Sequence, residues 1–154
     1  MTTKIVSVAF DKATGEIVKT MSNGAERRSI GSAHSAGYRV TRFDAEVVHI
    51  HRLAFFLVEG EWPECQVDHI NGNRADNRWV NLRKVSAEIN MQNIRKATAA
   101  SASGFLGASP HGGKWCAFLK VDGKSKYLGI FSTPEEAHKT YLEAKRIHHQ
   151  GCTI

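Results

Sequence analysis

The stretch ECQVDHINGNRADNRWVNLRKVSAEINMQNIRK, from Glu64 to Lys96, decides how this chain is read. A short strand is predicted from Gln66 to Ile70. It enters a loop dense in Asn, Gly and Asp, residue types whose side chains or backbone freedom serve turns. A second strand is predicted from Asn81 to Val85, and Ser86 then offers an N-cap to a helix running to about Lys96. The order is strand, loop, strand, helix.

Working outward, residues 4–10 (KIVSVAF) and 16–21 (EIVKTM) are β-rich runs around Asp11-Lys-Ala-Thr-Gly15 and predict a hairpin. A polar stretch rich in Ser and Gly follows, from Ser22 to Gly37. GYRVTRF and EVVHI predict a second hairpin, leading into HRLAFFLVEGEW, where Leu53, Phe56 and Leu57 make an apolar helical face that Trp62-Pro63 ends. His49 and His51 flank the start of that helix and read as structural.

Within the deciding stretch the chemistry-bearing residues are Asp68 and His69, adjacent at a strand end where the Asn71-Gly72 loop turns the backbone. Asn81 follows twelve residues after His69, and Asn90 nine after that. Taken alone, an Asp-His pair is equally a carboxylate solvating a strand end beside a satisfied histidine. The surrounding pattern separates these readings. VDHINGNRADNRWVNLR resembles the signature of the HNH endonuclease family, with His69, Asn81 and Asn90 at its three motif positions. The preceding GYRVTRF…EVVHIHRLAFFLVEGEWPE resembles what precedes the signature in phage and intron-encoded HNH homing endonucleases, so the resemblance runs from about Gly37 to Lys96.

The resemblance implies metal-assisted hydrolysis of DNA. A histidine with an ordinary pKa near 6.5 can accept the proton of an attacking water at neutral pH, which suits His69 as general base. Asp68 and Asn90 would hold one divalent cation per active site, with Asn93 on the same helix a rival to Asn90, and Asn81 would orient the His69 ring. A carboxylate and an amide oxygen are hard ligands and favour Mg²⁺ or Mn²⁺ over zinc. Arg74, Arg78 and Arg83 could grip phosphates or simply solvate the loop. Asp76 and Asn77 read as loop-closing residues.

Charge is unevenly placed. Residues 1–94 carry 12 Lys and Arg against 11 Asp and Glu, whereas residues 95–154 carry 9 against 4. The basic last third suits a polyanion, because each neutralised phosphate releases counterions. ATAASASG (97–104) has linker composition and sets the expected domain boundary. Beyond it, FLGASPHGG, KWCAFLKVDG and KSKYLGIF predict three strands, and Thr133-Pro134-Glu-Glu136 begins a helix with cap, N1 proline and acidic first turn in order. This segment resembles the ethylene-response-factor DNA-binding domain, through W-x-A-x-L…G-K…Y-L-G-x-F-x-T-x-E-E-A. The resemblance implies a sheet laid in the major groove, with Lys114, Trp115, Lys120, Lys124, Lys126 and Tyr127 as candidate contacts. Phe118 and Phe131 are expected in the core. Leu106 and Ser109 depart from the arginine-rich groove face of that family, so no base preference carries over.

Cys65, Cys116 and Cys152 lie far apart, with no Cys-x-x-Cys, and indicate neither a structural zinc nor a disulfide framework. MTTKIVSVAF lacks the pattern of an export signal and no apolar run reaches membrane-spanning length, which predicts a cytoplasmic protein, of the host cell if phage-encoded. The expectation is an α+β protein. Residues 1–96 form a ββα-metal nuclease domain with N-terminal β hairpins and a motif core at 65–96. Residues 105–154 form a three-stranded antiparallel sheet packed on one helix. The partner is double-stranded DNA, bound by a monomer. The rivals are a DNA-binding regulator with an inactive nuclease fold and an RNA-directed nuclease.

Overall fold

The computed structural model describes residues 4–154; Met1, Thr2 and Thr3, which open the MTTKIVSVAF stretch, lie outside the described residues. The described residues form a mixed α/β protein with four small sheets and three α-helices among them. It divides into two compact units, Met1–Ala87 and Glu88–Ile154. The division falls just inside the helix that follows the motif strands, upstream of the 97–104 segment.

In the first unit, β1 (Ile5–Asp11), β2 (Glu16–Met21) and β3 (Glu26–Ser29) form one antiparallel sheet in that order. The β1–β2 turn is closed by Asp11. Its carboxylate accepts the N–H groups of Ala13 and Thr14 at 2.9 and 3.2 Å, and Gly15 takes φ +76°, a conformation that favours glycine. β4 (Ser32–Ala33), β5 (Arg39–Phe43) and β6 (Glu46–His49) form a second sheet. The polar stretch at 22–37, for which the sequence predicts no element, therefore contains two short strands. β3 is exposed at all four positions, so it has no inward face for sequence alternation to reveal.

α1 (Ile50–Glu59) continues directly from β6 and carries the unit's core. Ile50 and Leu53 pack with Ile17 in one cluster, and Ala54 and Phe55 pack with Val67 and Leu82 in another. The helix ends before Trp62-Pro63. Gly60, at φ 87°, donates its N–H to Phe56 O at 2.9 Å in a left-handed cap, and the Trp62 ring then stacks on Phe56 at 4.8 Å. β7 (Gln66–His69) and β8 (Leu82–Val85) make a two-stranded ribbon on the second cluster. A 3₁₀ turn at Trp79–Asn81 takes the place of the first residue expected in β8.

α2 (Ala87–Gln92) is six residues long and stops short of Lys96. Asparagine is a poor helix interior residue because its amide competes for backbone partners. Asn93 O δ1 accepts the Thr153 hydroxyl at 2.5 Å, and Arg95 bonds Thr153 O at 2.9 Å, tying the segment to the C-terminus instead of prolonging the helix. β9 (Ala108–His111), β10 (Lys114–Val121) and β11 (Lys124–Phe131) form an antiparallel sheet, β11-β10-β9. Gly112-Gly113 and Asp122-Gly123 make its turns with positive φ.

α3 (Pro134–His148) covers one side of this sheet. Thr133 and Glu136 close a full capping box at its start, as the sequence indicates. Ala137 and Tyr141 pack on Ala108, Ala117, Trp115, Leu128 and Phe131. Lys145 is buried and donates from Nζ to Ile94 O, and burial lowers its pKa. No helix among the described residues is long and apolar enough to cross a membrane.

Candidate functional site

The β7–β8 register pairs Asp68 with Arg83 and His69 with Leu82, which puts both motif residues at the mouth of the loop. Both are buried. Arg83 holds the Asp68 carboxylate from two donors, Nε at 2.9 Å and Nη2 at 2.7 Å, each on Oδ2. This is a charge-assisted pair that fixes the carboxylate's orientation at the strand end.

His69 is 3% exposed. Burial lowers the pKa of its ring, while the hydrogen bond the ring donates to the Asn77 amide oxygen and the charges of Asp68 and Asp76 oppose that effect. Its Nε2 lies 3.3 Å from Asn77 Oδ1. A neutral ring with one nitrogen held and oriented is the form a proton acceptor needs.

The loop from Ile70 to Arg78 is built by polar side chains, not by a core. Asn81 accepts the Asn71 N–H at 2.8 Å and donates to Asp76 O at 2.7 Å, so its amide spans the loop mouth. Asn71 in turn donates to the Asp76 carboxylate at 2.8 Å and accepts the Asn73 N–H at 2.8 Å. Asn81, expected to orient His69, is thus engaged in bracing the loop, and Asn77, expected only to close it, faces the ring. Two asparagines four residues apart on a loop are alike in sequence; which one turns inward depends on the fold.

The first hairpin supports this loop from outside. Trp79 N–H donates to Lys12 O at 3.0 Å, and the Lys12 ammonium sits 5.5 Å from the centre of the Trp79 ring. Gly15 lies so close that an added Cβ would stand 2.6 Å from Asn77 C and 2.7 Å from Arg78 N.

A group of rings backs His69. His51 meets it edge-on at 5.2 Å, and Tyr38 lies 5.9 Å from it, 5.1 Å from His51 and 5.3 Å from His49. Desolvation, together with the nearby His69, His49 and Arg52, lowers the pKa of His51 to about 3. Its Nδ1 is buried with no hydrogen-bond partner among the described residues. The sequence pattern H-x-H at a helix start reads as structural, and Tyr38 carries no sequence signal of its own.

The three candidate arginines all have partners within the unit. Arg74 donates to Ala36 O at 3.0 Å and lies 4.9 Å over the Tyr38 ring, Arg78 grips Asp76 with two donors at 2.8 and 2.6 Å, and Arg83 holds Asp68. In the second unit, Asn90 and Asn93 lie on or just after α2. The DNA-binding candidates divide by sheet face. Lys114, Lys120 and Tyr127 are on the open face; Trp115 packs under α3, and Lys126 reaches His148 Nε2 at 2.9 Å on the α3 side, where Lys124 also lies by register. Phe118, expected in the core, is exposed on the open face beside Tyr127.

Among the described residues no group of three or more His, Cys, Asp and Glu side chains is placed to hold a metal ion. The donor chemistry at Asp68 is that of a single hard carboxylate. Mg²⁺ is commonly held by one or two carboxylates, with water and phosphate completing its shell, so this donor set fits such an ion. Arg83 takes two of the roughly four acceptor sites that a carboxylate offers.

Residues 48–92 match the family model described as HNH endonuclease. No curated protein matches the chain. A solved structure titled "DNA binding and cleavage by the HNH homing endonuclease I-HmuI" is similar to it at 21% identity and a TM-score of 0.45, covering 98% of this chain and 95% of that one. The family match runs from the end of β6 through α1, β7 and β8 to the end of α2, which includes Asp68, His69, Asn81 and Asn90.

Proposed function

We propose that the chain is a metal-dependent DNA endonuclease of the HNH type, in which His69 takes the proton from the water that attacks the phosphodiester. The observation that carries this reading is the buried His69 ring. Its lowered pKa keeps it neutral, Asn77 holds it, the Asp68 carboxylate precedes it in the chain, and all lie within the segment that matches the HNH endonuclease model.

HNH nucleases generally use a divalent metal ion. Asp68 is the residue of the first unit that would hold it, and the sequence resemblance adds Asn90. When bound, Mg²⁺ or Mn²⁺ supplies positive charge to the phosphate and to the departing oxygen. The chain's own residues do the rest. Asn77 fixes the ring that receives the proton, Asn81 braces the loop behind it, and Arg83 sets the carboxylate. Lys114 and Lys120 on the open sheet face of the second unit hold duplex phosphates. One such site per chain cuts one strand of duplex DNA in a binding event by a monomer; a homing role is the finer reading of the same resemblance.

The test is conversion of supercoiled plasmid and source genomic DNA in Mg²⁺, in Mn²⁺ and in chelator, by wild type and His69→Ala. Metal-dependent nicking that falls about 10²- to 10⁴-fold in His69→Ala, with DNA affinity kept, is the expected result. Equal cleavage by both proteins refutes the assignment of the base. One observation favours a binding-only protein: the Asp68–Arg83 pair already neutralises the carboxylate. DNA binding indifferent to chelator, with no cleavage of either substrate in either metal, decides for that reading.

A further inference from the structure

The open face of the second unit's sheet has a composition that phosphate binding alone does not account for. A β-bulge lies between the Ala117 and Phe118 pairings. On the α3 side of the bulge, Ala117 pairs with Gly129 and Trp115 with Phe131; beyond it, Phe118 pairs with Tyr127 instead of Leu128. Strand side chains alternate, so an uninterrupted ladder would turn Tyr127 toward α3; the extra residue reverses it. Tyr127 and Phe118 therefore stand side by side on the open face, ring centres 5.3 Å apart, 56% and 46% exposed. Ile130, at 45%, joins them on that face.

Around this apolar strip the same face carries Lys114, Lys120 and His111, and no strand of the sheet contains an acidic residue. A cationic rim around an apolar centre complements an anionic surface with apolar features inside it. Duplex DNA has that form at its major groove, which is wide enough for a β-ribbon and whose one apolar group is the thymine 5-methyl.

We infer that Phe118, Tyr127 and Ile130 form a contact surface for thymine methyl groups, so that this face favours A·T-containing major grooves while its lysines hold the flanking phosphates. The inference rests on the reading of the chain as a DNA-binding nuclease but concerns its binding step alone.

The test substitutes the DNA. The full chain, in chelator so that nothing is cut, is titrated by fluorescence anisotropy against a duplex of alternating A and T and against the same duplex with uracil for thymine. These differ at each substituted pair by the methyl. Burial of one or two methyl groups predicts roughly 3- to 15-fold weaker binding to the uracil duplex. Phe118→Ser with Tyr127→Ser, both exposed positions, should bring the two affinities together, with the thermal unfolding midpoint confirming a folded protein. Equal wild-type affinity for the two duplexes overturns the inference. So does preference for single strands over both, which would mean that the rings stack on bases. Discrimination between thymine and uracil in a protein that never cuts leaves the inference standing and sinks the nuclease reading; cutting without discrimination does the reverse.

Discussion

Replacing Gly15 by alanine tests whether the first hairpin holds the loop beside His69 in place. Gly15 and Gly24 have nearly the same backbone, φ +76° and +81°, yet an added Cβ at Gly24 meets nothing within 4 Å whereas at Gly15 it meets the backbone of Asn77 and Arg78 at 2.6 and 2.7 Å. Both alanines bear the left-handed penalty of about 1–2 kcal/mol. Gly15→Ala alone adds a clash with main-chain atoms, which cannot swing aside as the end of a side chain can. Relief requires Asn77 to recede by about 0.8 Å to reach ordinary contact at 3.4 Å. Overpacking of this kind costs about 1–3 kcal/mol. Gly15→Ala should then unfold in urea at a lower midpoint than Gly24→Ala, by about 1 M for an m-value of 1–3 kcal/mol/M. Because Asn77 holds the His69 ring, under the proposed function the displacement should also slow plasmid nicking relative to Gly24→Ala, by up to about the 2- to 12-fold that one ordinary hydrogen bond is worth. Coincident urea midpoints and nicking rates for the two variants would refute the bracing role.

Asn77→Ala should reduce nicking about 2- to 12-fold, the worth of one ordinary hydrogen bond, with plasmid affinity unchanged in a chelator-treated binding assay. His51 contributes to acid sensitivity. It is neutral when folded down to about pH 3 but protonates near 6.5 when unfolded, so the unfolded state binds the extra proton between those values. Stability is therefore complete above about pH 6.5 and declines as pH falls toward 3, by up to about 1.4 kcal/mol per pH unit from this group. His49 and His69, whose own pKa values burial lowers, titrate beside it, and Arg52 adds a fixed positive charge; His51→Phe, which keeps a ring, should flatten the slope in urea melts from pH 7 to 4. Thr133→Ala removes the cap of α3 and should lower stability by about 1 kcal/mol, read as a lower urea midpoint with an unchanged m-value.

Elements with a periodic face or a strong turn were legible in the sequence, and those defined by contacts were not. Asp11–Gly15, Asp122-Gly123 and the Thr133 box specify their local geometry through their own side chains or backbone freedom. β3, exposed at every position, gives alternation nothing to act on, and β4 is only two residues long. Gly60 ends α1 before the proline can, and a left-handed cap needs no more than that one residue. At the site, Asp68 and His69 stand where the motif reading puts them, beside the loop. The hydrogen bond between Asn77 and His69, those of Asn81 across the loop mouth, and the rings of Tyr38 and His51 behind His69 arise from pairing across strands and loops distant in sequence. Phe118 was misplaced for the same reason: a bulge in the neighbouring strand sets which face its partner shares, and nothing in KWCAFLKV announces it.

The loop beside His69 also depends on one amide remaining an amide. Asn71 precedes Gly72, and an asparagine followed by the smallest residue is a site where the amide is readily lost as ammonia; asparagine is among the thermolabile residues in proteins. In this loop the Asn71 amide donates to the Asp76 carboxylate at 2.8 Å while its oxygen accepts the Asn73 N–H. Conversion to aspartate would turn that donor into a second negative charge facing the first, the arrangement in which two carboxylates cannot both ionise without cost. A molecule converted in this way would carry one more negative charge and a loop loosened behind His69, whereas the Gly72 N–H, held by His69 O at 2.7 Å, is kept from attacking the amide.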